Sequence, residues 1–229
     1  MRSRLIPILG FVFVGGAVLA GLISISIGEE RVNEFTVAGT SEAQRVFGGI
    51  PQSEAEVGLD TAPVTISVFN DLQCRECADF HFATIPPLVE RLVRPGEARL
   101  EFRHFSQSRK PFQISATAAI AAGEQDAHWQ YAHLFFSNLD NIDRAGINDE
   151  FLGALAAAVP RPEFEVAQWE RDFELDSVDD RVKADAELST DLRLPAGPAV
   201  VVDGPGGTRE LVQSPSVQEI VAAVAEVAR

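Results

Sequence analysis

Cysteine is nearly absent from this chain: two in 229 residues, and both lie in the stretch Cys74-Arg75-Glu76-Cys77. Basic residues are also scarce, 19 against 34 acidic ones, for a net charge of −15. Nucleic acid is bound through clustered Lys and Arg, and no basic patch occurs beyond residue 4, so a nucleic-acid partner is excluded. The acidic balance instead keeps a soluble domain soluble. Internal repeats and low-complexity tracts are missing as well. What is plentiful is apolar residues, 46 % of the chain, ample for a packed core.

Charge is missing altogether from Leu5 to Gly28. About 20 apolar residues in a helix cross the roughly 30 Å bilayer core, so residues 1–28 read as an N-terminal transmembrane anchor. Arg2 and Arg4 precede the apolar run and all 34 acidic residues follow it. That asymmetry keeps the N-terminus cytoplasmic and exports the remainder. The rival reading is a cleaved signal peptide, with Val18-Leu19-Ala20 as the small-residue site. Both readings put the cysteines outside the cytoplasm, where disulfides persist.

Residues 29–57 read as a tether, with a short helix over Ser41–Phe47. Val64, Thr65, Ile66, Val68 and Phe69 form a buried strand, β-branched and aromatic, bounded by Pro63 and Asn70-Asp71. After the cysteines, Ile85, Leu88, Val89, Leu92 and Val93 recur at helical spacing. Pro86 and Pro87 kink or locally break that helix, and Pro95-Gly96 ends it. Residues 98–105 alternate as a second strand. Residues 111–190 are mostly helical, with a cap expected at Asn148. PAVVVDG and RELV are strands, and the last helix opens with a capping box, Ser216 and Glu219. The order is strand, helix, strand, helical block, strand, strand, helix.

Four chemistries compete for Cys74 and Cys77. A structural bridge closing so small a loop removes little unfolded-state entropy, about 2 kcal/mol. A c-type haem needs His directly after the second cysteine, and Ala78 stands there. Zinc needs about four ligands; His81 shares the helix, while His104, His128 and His133 are scattered. The fourth is a redox disulfide. A first sulfur at a helix N-terminus meets unpaired N–H groups and the positive end of the macrodipole. Both favour the thiolate. Cys74 then attacks or is attacked, and Cys77, one turn on, resolves the mixed disulfide.

APVTISVFNDLQCRECADF resembles the active-site segment of DsbA-like thiol–disulfide oxidoreductases of the thioredoxin superfamily, and GIPQSEAEVGLDTAPVT resembles their entry segment. GEQDAHWQYAHLFF is similar to the family's helical insert, and LPAGPAVVVDG to the loop and strand that carry its cis-proline. The resemblance covers about residues 48–229. It implies a thioredoxin-like α/β fold with a helical insertion over about 111–190, in a domain spanning 58–229, behind the transmembrane helix. It makes Cys74 the nucleophile and Cys77 the resolving thiol. It makes Pro198 the cis-proline, with Gly197 before it, beside which an extended substrate segment pairs as an added strand. Arg75 favours the Cys74 thiolate and Glu76 disfavours it. Asp71 caps the strand end or passes a proton to Cys77. No metal and no cofactor is implied. The partners implied are exported proteins with thiols or disulfides, and a redox protein that resets the disulfide. Oxidase is the first reading, because the helical insert resembles the oxidase branch. Reductase or isomerase activity is the alternative within the class. A tethered binding or chaperone module with incidental cysteines is the alternative outside it.

Overall fold

Strand β3 (Val64–Asn70) lies at the centre of a six-stranded sheet. Its even-numbered residues, Val64, Ile66, Val68 and Asn70, are wholly buried. This is what a strand covered by helices selects. A computed structural model of the chain describes residues 36–105, 111–194, 197–211 and 213–229. The expected membrane segment and the first part of the tether lie outside the described residues. Among the described residues no helix is long and apolar enough to cross a membrane.

On one side β3 runs parallel to β4 (Ala98–His104), with Ile66 opposite Leu100, Val68 opposite Phe102 and Asn70 opposite His104. On the other side it pairs antiparallel with β5 (Ala199–Gly204), which pairs antiparallel with β6 (Gly207–Leu211). Two short strands, β1 (Gln52–Ser53) and β2 (Glu56–Val57), extend the β4 edge, giving the order β1-β2-β4-β3-β5-β6.

Parallel strands need a crossover, and α2 (Arg75–Leu88) supplies it. The spacing that marked its core face holds: Ile85, Leu88, Val89, Leu92 and Val93 are all buried. Pro86 and Pro87 do not break the helix. They remove two amide donors, and the helix runs on into a wider turn over Val89–Val93, where Arg94 N–H donates to Val89 O at 2.9 Å.

Among the described residues between β4 and β5 stand six helices, α3 (Pro111–Gly123), α4 (His128–Ser137), α5 (Leu139–Ala145), α6 (Asp149–Ala157), α7 (Val166–Asp172) and α8 (Asp176–Asp191). Asn148 caps α6 as its position suggested, its Oδ1 accepting Phe151 N–H at 2.8 Å. The block is pinned to the sheet through Asp185 of α8. This carboxylate accepts His104 N–H at 2.8 Å and the Arg103 guanidinium at 2.9 Å. Helix α9 (Val217–Val227) opens with the expected Ser216–Glu219 capping box and packs on β5. Its buried stripe is Ile220, Ala223, Val224 and Val227; Val217 and Val221 sit half-buried beside it. The arrangement is a thioredoxin-like α/β fold with a helical insertion.

One boundary differs from the sequence reading. Residues 37–57, expected as tether, belong to the folded unit, Val37–Arg229. Helix α1 (Thr40–Phe47) buries Ala43, Val46 and Phe47 against α4, with the Phe47 ring 5.7 Å from that of Trp129. Three apolar side chains suffice because the insert offers them a ready aromatic surface.

Candidate active site

Strand β3 ends at Asn70 and α2 begins at Arg75, so the connecting turn and the helix N-terminus place the cysteines. Asp71 shapes the turn: its Oδ1 accepts Gln73 N–H at 2.9 Å, and its carbonyl accepts Cys74 N–H at 3.1 Å. Cys74 is the N-cap of α2, in extended conformation, and its sulfur accepts Cys77 N–H at 3.1 Å. A thiol sulfur thus takes the role that a Ser or Asp oxygen usually plays at a cap. Cys74 is half-buried and Cys77 is buried, and both are free thiols.

These contacts separate the two thiols chemically. The Cys77 thiol donates to the Cys74 sulfur, and the Cys77 amide adds a second hydrogen bond. Together they lower Cys74 to about 7, against burial and the carboxylates of Asp71 and Glu76. Cys77 moves the other way: its bond to the Cys74 sulfur and its burial hold it protonated. Near neutral pH one sulfur is a competent nucleophile and leaving group, and the other is a reserve thiol.

The charged pair between the cysteines splits apart. Arg75 turns to the insert, its Nη1 2.7 Å from Asp140 Oδ1 on α5. Glu76 turns to the C-terminal side, where its Oε1 accepts the Ser214 hydroxyl at 3.0 Å. Glu76 disfavours the thiolate, as its charge suggested. Asp71 acts as the turn residue already described.

The loop before β5 reaches the same place. A Cβ built on Gly197 would stand 3.4 Å from Glu76 Oε2, and the Pro198 carbonyl accepts Ser214 N–H at 3.1 Å. Pro198 does not follow a cis bond as the resemblance implied: no cis peptide occurs among the described residues, and Gly197–Pro198 is trans. Gly197 turns the chain by its own torsion, φ +93°, a conformation open to a residue without Cβ. The fold thus brings Cys74, Cys77, Asp71, Glu76, Gly197 and Pro198 to one end of the sheet, with Arg75 directed to the insert.

All four histidines are buried, a feature their scattered positions concealed. His81 Nε2 lies 3.1 Å from His133 Nδ1, and His104 Nε2 lies 2.8 Å from His128 Nε2. Burial pushes His128 down to about 3 and His133 to about 4, and holds His81 and His104 well below the usual imidazole range. Trp129 and Tyr131 pack in the same core. Among the described residues no three His, Cys, Asp or Glu side chains converge as a metal site.

A C-x-x-C pair at the N-terminus of the crossover helix, in a thioredoxin-like fold with this insert, defines a DsbA-like thiol–disulfide oxidoreductase. Residues 52–221 match the family described as Thioredoxin, and the chain belongs to it. It is similar to a probable disulfide bond formation protein D of Bacillus cereus, at 24 % identity over 89 % of this chain and 91 % of the relative. Disulfide bond formation protein D of Bacillus subtilis is 21 % identical over 72 % of this chain and 75 % of that one. Among solved structures, oxidised BdbD of Bacillus subtilis superposes with a TM-score of 0.65 at 18 % identity, covering 77 % of this chain and 96 % of that one. Wolbachia pipientis α-DsbA1 gives 0.61 at 16 %, covering 76 % and 89 %.

Proposed function

We propose that this protein oxidises thiols of exported proteins through a Cys74–Cys77 disulfide, outside the cytoplasm and tethered by its N-terminal segment. The observation that carries the chemistry is the Cys74 sulfur at the N-cap of α2, with the Cys77 thiol and amide both donating to it. A substrate thiolate attacks Cys74 of the disulfide. The bond to Cys77 breaks, Cys77 leaves as thiolate and takes a proton, and substrate is joined to Cys74. A second substrate thiolate attacks the substrate sulfur of this mixed disulfide and releases the Cys74 thiolate. The substrate has then lost two electrons and the protein holds a dithiol, which an external redox partner must reoxidise. Gly197 and Pro198 line the approach to Cys74 and receive the substrate segment. No metal or bound cofactor is required.

Two features support this direction. The released Cys74 thiolate is hydrogen-bonded, which stabilises the reduced form and makes the disulfide oxidising. The similar Bacillus proteins are named for disulfide bond formation. The opposite direction also has an observation on its side: Asp71 and Glu76 both work against the thiolate, and a thiol near 7 is also found in reducing members of the superfamily.

The first test is to equilibrate the full-length protein with defined glutathione ratios and measure the Cys74–Cys77 potential. A value nearer about −120 mV than about −270 mV supports an oxidase. A value at the lower end makes the dithiol an electron donor. No reversible two-electron couple at all would leave a tethered binding module.

A further inference from the structure

Glu76 stands beside the reactive cysteine and against the loop that precedes β5. Its side chain starts on α2 two residues from Cys74, and its charge acts on the Cys74 sulfur. The carboxylate does not swing freely. The Ser214 hydroxyl holds Oε1 at 3.0 Å, and Oε2 lies over the open α-carbon of Gly197. Ser214 is itself set. It follows Gln213, and the two share the left-handed region at φ +62° and +57°, an uncommon conformation for non-glycine residues in succession. Its amide is bonded to the Pro198 carbonyl at 3.1 Å. One fixed carboxylate, close enough for its charge to act on the reactive sulfur, therefore lies against the Gly197–Pro198 loop, and its residue is exposed to solvent. The basic member of the pair, Arg75, is directed to Asp140.

We propose that Glu76 determines substrate specificity, favouring protein thiols whose reactive cysteine is flanked by Lys or Arg. The inference rests on the disulfide-exchange reading of Cys74 and adds to it the class of sequence that the site accepts. One carboxylate oxygen is taken by Ser214, and the other remains to receive a cationic side chain. An acidic residue at the same position of the substrate meets like charge. Gly197, without a side chain, leaves that encounter open.

The test uses the full-length protein oxidised with glutathione disulfide and two dithiol peptides that differ only beside the first cysteine, Arg in one and Glu in the other. The readout is the ratio of their second-order exchange rates, for the natural protein and for Glu76→Gln. Taking this ratio cancels both the intrinsic reactivity of each peptide thiol and any change in Cys74 itself. At low salt the natural protein should prefer the Arg peptide by about twenty- to thirtyfold more than Glu76→Gln does, as expected for about fivefold attraction of Arg multiplied by about fivefold repulsion of Glu, each a unit-charge contact near 4 Å in water. That excess should shrink at high salt, and Glu76→Asp, which keeps the charge, should retain part of it. Equal ratios in the natural protein and Glu76→Gln overturn the proposal while leaving exchange intact. Exchange with neither peptide overturns the disulfide-exchange reading, and this proposal with it.

Discussion

His81 of α2 and His133 of α4, 52 residues apart in the chain, meet inside the core with Nε2 and Nδ1 3.1 Å apart. A contact that short between two neutral imidazoles needs one ring nitrogen to donate and the other to accept. A proton on both rings would leave two donors facing each other in a site with little water.

That geometry sets a pH dependence. His133 titrates near 4 in the folded chain and near 6.5 when unfolded. Between those values the unfolded state binds the proton and the folded state does not. Stability is therefore fully present above about pH 6.5 and falls as the pH drops towards 4, by on the order of 3 kcal/mol for this group. His128, near 3 when folded, adds to the loss in the same direction. Urea denaturation at pH 7, 5.5 and 4.5 should show the decline, and His133→Gln should flatten part of it. The same slope in both proteins would place the acid lability elsewhere.

Cys77 tunes Cys74 by donating to it. An ultraviolet thiolate titration of the reduced protein should give a first midpoint of about 7. Cys77→Ala removes the S–H donor, so the midpoint should rise towards the ordinary thiol value near 8.5. The same variant should accumulate mixed disulfides with substrate, and Cys74→Ala should abolish exchange. A Cys77→Ala midpoint still near 7 would assign the shift to the backbone amide alone.

Asp185 joins the insert to the sheet. Asp185→Ala leaves the buried end of Arg103 and the His104 amide without this partner. The expected cost is on the order of 3 kcal/mol, seen as a lower denaturation midpoint. Asp185→Asn, which still accepts one hydrogen bond, should lose less. Equal losses would show that charge rather than hydrogen bonding carries the contact.

Gly197 is needed both for its torsion and for its openness. Gly197→Ala must hold φ +93° and place a methyl 3.4 Å from Glu76. We expect a loss of about 1 kcal/mol in stability and slower exchange with peptide substrates, measured as a raised KM. Unchanged KM in a folded Gly197→Ala protein would remove the loop from the substrate path.

Much of this protein was legible locally. The β-branched run of β3, the alternation of β4, the caps at Asn148 and Ser216, and the helix face from Ile85 to Val93 all depend on neighbours a few residues away. So does the placement of Cys74: a strand that ends and a helix that begins put its sulfur among unpaired amides whatever the rest of the chain does. Those same residues carry the resemblance to DsbA-like proteins, because the active-site segment is contiguous in the chain.

The rest depended on surfaces meeting. The two histidine pairs, the bond from Ser214 to Glu76 across 138 residues, and the packing of α1 on Trp129 join segments whose register is set only when helices dock on the sheet. Arg75 and Glu76 are adjacent in sequence, yet one faces the insert and the other the C-terminal loop. Sequence alone determined the kind of sulfur chemistry, because a helix N-terminus is a local object. Tertiary structure decided which charges surround that sulfur, because side chains find distant partners only after the backbone has packed.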